Sequence, residues 1–148
     1  MTLPDLIPTL QLSIGPVILI SGIGLLLLSM TNRFGRIIDR SRHLARELRA
    51  GEPRDLRLTQ ELQILARRAR IMRAAIALSG ISVLLAAVLI IDLFIGSLLL
   101  LPVATSIAIV FSLCLASLIA SLVLFIRDIN LSLKALWLEI PEHVHEMK

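Results

Sequence analysis

The chain has 148 residues, 57% apolar and only 18% charged, with a mean hydropathy of +0.90. Ordinary soluble domains hold about 45–50% apolar residues, so this composition excludes that class and points to one small membrane domain spanning residues 1–148. The net charge of +4 hides an asymmetry: residues 31–74 hold 12 Arg against five acids, while Arg127 to Lys148 holds three basic and four acidic residues.

Residues 2–12 place Leu3, Leu6, Ile7 and Leu10 at spacings that fit one helical face, with Pro8 interrupting the pattern, and predict a short interfacial segment. Met1 to Ser13 carries no Lys or Arg, and the positive charges follow the apolar stretch; that polarity is wrong for a cleaved signal peptide. The first span is expected over residues 13–30, long enough at ~1.5 Å per residue to cross most of a ~30 Å hydrocarbon core. Gly15-Pro16, Ser21, Gly22 and Gly24 give it a small-residue surface, which suits close helix packing more readily than a pore lining.

From Arg33 the helix is expected to continue into water, with Ile37, Ser41, Leu44 and Leu48 at steps of four, three and four. Ala50-Gly51-Glu52-Pro53 supplies stop and restart signals. The return arm carries Leu58, Leu62, Leu65, Ala69 and Met72 at the same alternating steps. Two opposed seams predict an antiparallel helical hairpin over residues 31–73. Its basic block lies between apolar stretches, so the positive-inside rule explains it better than nucleic-acid binding, and no nucleic-acid partner is expected.

The block Ala74 to Ile126 is 53 residues long with one charge, Asp92, and must hold two spans, expected over residues 74–95 and 101–126. Asp92, Gly96, Ser97 and Pro102 mark the turn between them. Ala104, Ala108, Ser112, Ala116 and Ala120 form a ladder at strict four-residue spacing, read as the packing face of the third span. Ser and Thr inside spans read as interhelical hydrogen bonders. Cys114, the one cysteine, rules out an internal disulfide and reads as a packing residue. Beyond Arg127, Ile129, Leu133, Leu136 and Ile140 predict an amphipathic helix over residues 127–140, with Trp137 beside them, closed by Pro141.

The fold class that follows is an all-α integral membrane protein: three transmembrane helices, a cytoplasmic antiparallel helical hairpin between the first and second, and an amphipathic C-terminal helix. The basic hairpin and the C-terminus are expected in the cytoplasm, with the N-terminus and the Asp92–Pro102 turn outside. Three stretches at the cytoplasmic membrane edge carry a resemblance: Leu27-Leu28-Ser29-Met30-Thr31-Asn32-Arg33, Gln63 through Arg73, and Ile129 through Glu139. In order and spacing they resemble a bacterial family of small integral membrane proteins known as domain of unknown function 2721. Asp128-Ile129-Asn130 departs conservatively from that family's acidic residue followed by Ile-Gln. The resemblance implies a three-span protein of the bacterial inner membrane and supplies no catalytic residues.

Asp92 is the sole ionisable residue between Arg73 and Arg127. Two readings stand beside each other, a wet carboxylate near the turn or capping the third span, and a proton or cation site in an oligomer. Its depth, roughly 27 Å from Ala74, favours the first. Arg33, Arg36 and Arg40 on one arm and Arg67, Arg70 and Arg73 on the other cluster near the inner leaflet, where contact with anionic headgroups and simple topology setting, with pairing to Asp39 and Glu47, are both expected. His143 and His145 have non-diagnostic spacing and read as a solvated tail, and His43 as a solvated hairpin residue. With no phosphate-cradling glycine loop, metalloprotease helix or nucleophile with its base, neither an enzymatic activity nor a cofactor is expected. Two function classes remain. The first is a structural or regulatory membrane component that associates with itself or another membrane protein, and the alternative is a homo-oligomeric ion channel or transporter-like pore.

Overall fold

A computed structural model describes residues 3–50, 56–99 and 103–139, with side chains placed over 7–8, 10–49, 59–99 and 103–132. The described residues form three helices and no strand: α1 Leu3–Ala50, α2 Leu56–Leu99 and α3 Ala104–Glu139. All three are long and apolar enough to cross a membrane. At ~1.5 Å per residue the 48 residues of α1 reach about 72 Å, more than twice the ~30 Å hydrocarbon thickness, so this helix must project well beyond it. The outward side chains fit that setting: Leu25 is 72% exposed, Ile18 66% and Leu84 63%, a surface that lipid tolerates and water does not.

α2 is the central helix, packed against α1 on one side and α3 on the other. The α1 contact follows a seven-residue repeat, with Ile23, Met30, Ile37 and Leu44 all buried. A seven-residue step falls only about 20° short of two full turns, so such a seam stays on one side of a helix. Partners descend along α2 as α1 ascends: Met30 packs with Met72 and Ala75, then Ile37 and Leu44 pack with Leu65, Leu62 and Ala69. Leu26, Phe34, Ile76, Leu124 and Phe125 close around the first of these clusters, so all three helices meet there.

Between α2 and α3 the seam is small and polar. Ala75, Ser79, Ser82, Ala86 and Leu89 alternate steps of four and three on α2, opposite Cys114, Ser121 and Asp128 at steps of seven on α3. Ser121 Oγ donates to the Ala75 carbonyl at 2.7 Å, so its one proton is used and Ser79 Oγ donates to Ser121 Oγ at 2.6 Å. Ser117 Oγ donates to the Leu78 carbonyl at 2.8 Å, and Ser82 Oγ to the Cys114 carbonyl at 2.9 Å. Cys114 Sγ lies 3.2 Å from the Ser82 carbonyl in return, a weak donor on a backbone acceptor. Not every span hydroxyl crosses between helices: Ser21 and Ser112 bond back to the carbonyls of Val17 and Ala108 one turn earlier.

Five expectations change. The ladder Ala104, Ala108, Ser112, Ala116 and Ala120 is exposed along its whole length and lies outside the buried seam that faces α2. Each four-residue step overshoots a turn by about 40°, so the ladder sweeps roughly 160° around α3 and diverges from the seven-residue seam. Gly22 and Gly24 are also exposed, with no neighbouring helix within 4 Å of where their Cβ atoms would stand, because the buried residue between them is Ile23. Pro8 and Pro16 lie inside a continuous α1 rather than separating an interfacial segment from a span. Each proline deletes one backbone donor, a defect that long membrane helices absorb locally.

Asp92, Gly96 and Ser97 belong to α2 rather than to the turn, since the helix runs on to Leu99. Gly96 is buried against Val103, where a Cβ would run into the valine side chain; its role is close approach rather than helix breaking. Residues 127–139 continue α3 without a break instead of forming a separate helix. The 51–55 stop signal, Pro102, Pro141 and the His143/His145 pair lie outside the described residues, as do the side chains of Leu58, Leu133, Leu136 and Trp137.

Candidate functional site

The polar side chain buried most deeply outside the serine seam is Asp128, at 0% exposure. It sits two residues past Ile126, and the seven-residue repeat that buries Cys114 and Ser121 turns it inward toward α2. Burying a carboxylate is costly unless it is paired and hydrogen-bonded. Arg68 meets that need in part: its Nε donates to Asp128 Oδ1 at 3.2 Å, while Oδ2 is buried with no hydrogen-bond partner among the described residues. The Nε bond uses one of five guanidinium donors, leaving Arg68 with capacity to bind elsewhere.

Arg68 also lines a cavity of about 240 Å³ with Arg33, Arg36, Ile37, Arg40, Leu65 and Ser132. Helical spacing assembles it. Residues 33, 36, 37 and 40 fall at i, i+3, i+4 and i+7 on α1, Leu65 and Arg68 at i and i+3 on α2, and Ser132 lies one turn beyond Asp128 on α3. Ile37 and Leu65 come from the buried seam and contribute an apolar wall. Arg33 stacks over the Phe125 ring at 5.5 Å from its centroid, a cation–π contact that links α1 to α3. The cavity thus draws on all three helices where the apolar part of each gives way to charge. Among the described residues its lining carries four guanidinium groups and one hydroxyl.

The expected lipid-contact arginines divide. Arg33, Arg36 and Arg40 come together in this cavity. Arg67 and Arg70 border a separate surface with Gln60, Gln63, Ile64 and Ala66, and Arg73 is exposed. Asp39 and Glu47 border a third surface with Arg40, His43, Leu44 and Glu61, and Glu47 lies 3.3 Å from His43 one turn away. Asp92 is half-buried and accepts a hydrogen bond from Ser106 Oγ at 2.9 Å, joining the end of α2 to the first turn of α3. Among the described residues no group of three or more His, Cys, Asp or Glu is arranged to hold a metal ion.

Arg68, Asp128 and Ser132 were not singled out by the sequence reading. The available signal was the seven-residue register Cys114, Ser121, Asp128, which places an acid on the packed side of its helix.

No curated protein and no solved structure matches the chain. The pattern of one protein family matches residues 13–138, which takes in all three spans, the cavity residues and the Arg68–Asp128 pair. The chain therefore belongs to the family described as protein of unknown function DUF2721.

Proposed function

We propose that the protein is a non-enzymatic structural or regulatory component of the bacterial inner membrane that works through helix association, with itself or with another membrane protein. Residues 31–73 form an antiparallel hairpin in the cytoplasm in this reading, the C-terminal end of α3 lies beside it, and the N-terminus and the α2–α3 turn are outside. The positive-inside rule supports the orientation, since 12 of the 15 basic residues fall in residues 31–74.

The observation that carries the association reading is the outward ladder on α3. Lipid gives helices no hydrophobic reason to associate, and small residues promote contact by letting backbones approach. Five small residues, Ala104, Ala108, Ser112, Ala116 and Ala120, wind along the exposed side of the same helix whose packed side is already satisfied by serine hydrogen bonds to α2. A right-handed crossing, the geometry that follows four-residue ridges, fits this pattern.

Cysteine cross-linking in native membranes tests the reading. Ala116→Cys in a Cys114→Ala background is expected to yield a cross-linked species larger than one chain, and Leu84→Cys in the same background is not. Equal cross-linking from both positions, or none from either, contradicts it.

A further inference from the structure

We propose that the outward face of α2 binds an anionic phospholipid of the leaflet nearest the arginines, with Arg67, Arg70 and Arg73 at its headgroup and Ala77, Ile81 and Leu84 along an acyl chain. The site does not require association through the α3 ladder, which lies on another helix.

Sequence spacing sets up this face. From Gln63 to Leu98 every residue at alternating steps of four and three is exposed. Steps that average 3.5 residues keep such a stripe on one side of a helix. The residues that meet the neighbouring helices lie elsewhere on α2: Leu65 and Met72 pack toward α1, while Ser79 and Ser82 bond to α3.

The stripe changes character once along its length. From Ala74 onward it is predominantly apolar, with Ile81 48% and Leu84 63% exposed, a surface suited to acyl chains. Before Ala74 it carries Arg70, Arg67 and Gln63, and Arg73 is exposed beside them. At ~1.5 Å per residue, Arg73 and Arg70 lie about 1.5 and 6 Å beyond Ala74, inside a headgroup layer roughly 5–7 Å deep, and Arg67 lies at its aqueous edge. The same lipid whose chain covers Ile81 therefore has its phosphate level with the arginines.

Helix residues three apart are surface neighbours, with ~5–6 Å between Cβ atoms, so Arg67 with Arg70, or Arg70 with Arg73, can hold one phosphate between two planar donor forks. Gln60 and Gln63 border the same surface and supply amide donors and acceptors for headgroup hydroxyls. Between the arginines and Ile81 the stripe narrows to Ala74 and Ala77, whose short side chains let a descending acyl chain lie close to the helix and gather dispersion contacts. Charge selects the lipid over a second copy. In a two-fold pair built on this face, Arg67 and Arg70 would meet their own counterparts and repel, whereas an anionic headgroup brings the opposite sign.

The test uses the full chain in a non-ionic detergent at physiological salt, titrated with dioctanoyl phosphatidylglycerol, dioctanoyl phosphatidylcholine and glycerol 3-phosphate, and read by native mass spectrometry. Saturable binding of one phosphatidylglycerol per chain is expected. Phosphatidylcholine, whose headgroup is neutral overall, should bind at least about ten-fold more weakly, and glycerol 3-phosphate, which has no chains, should not displace the lipid. Arg67→Gln/Arg70→Gln, both at exposed positions where folding is spared, should weaken binding roughly 25-fold, about five-fold for each cation lost. Arg42→Gln/Arg46→Gln removes the same charge from exposed positions on α1 and should change affinity less than about three-fold, as screened surface charges do. Absence of saturable phosphatidylglycerol binding, equal binding of phosphatidylcholine, displacement by glycerol 3-phosphate, or equal losses in the two double variants overturns the site.

Discussion

Asp128 is fully buried just past the apolar end of its span, and this position makes Arg68 consequential. Removing one partner of a buried pair leaves an uncompensated charge, whereas replacing both with apolar groups is often neutral. Arg68→Met should therefore cost about 3–5 kcal/mol of stability, and Arg68→Met/Asp128→Leu should recover more than half of that loss. Reversible unfolding in mixed micelles measures both, and a single variant indistinguishable from the parent would show that the pair does not hold α3 to α2. This pair was hard to see in the sequence because an acid two residues past a span looks like an ordinary headgroup-level charge. Its partner lies 60 positions away, and only the packing of α2 on α3 brings the two together.

For the helices, a repeat of seven is what separates inside from outside. The α1 and α2 seams through Ile37, Leu44, Leu62, Leu65 and Met72 were legible because apolar residues stand out against a charged background. Inside the spans almost every residue is apolar, so the contrast vanishes and small residues become the only guide. The four-residue alanine ladder was then the more conspicuous pattern, while the true contact with α2 uses Ser117, Ser121 and Cys114. Ser121→Ala removes one interhelical donor and should cost about 0.6–1.7 kcal/mol, from the average to the maximum found for such bonds in membranes. Ser121→Leu overpacks a site with no exposure and should cost a further 1–3 kcal/mol or so. Equal unfolding midpoints for these two variants would contradict the close seam. At the other end of α2, Gly96→Leu should destabilise by about 1–3 kcal/mol because its side chain displaces Val103. Unfolding in the same micelles checks this, and an unchanged midpoint would mean that the α2–α3 junction is looser than described.

Taken whole, the molecule has a filled interior and an apolar exterior. Three spans and the arginine-rich boundary followed from hydropathy and charge alone, because a bilayer constrains length and composition more tightly than water does. Which face meets another protein did not follow, since small residues serve contacts within a chain and between chains alike. The seven-residue seams assign the intrachain contacts and leave the α3 ladder free for the proposed association. Its most direct test is the mass of the full chain in lipid nanodiscs, for the parent and for Ala108→Leu/Ala116→Leu. The account predicts more than one copy, or a copy with a co-purifying membrane partner, for the parent, and a lone monomer for the variant whose ladder is blocked. A parent that is itself a lone monomer, or a variant that assembles as the parent does, would contradict it.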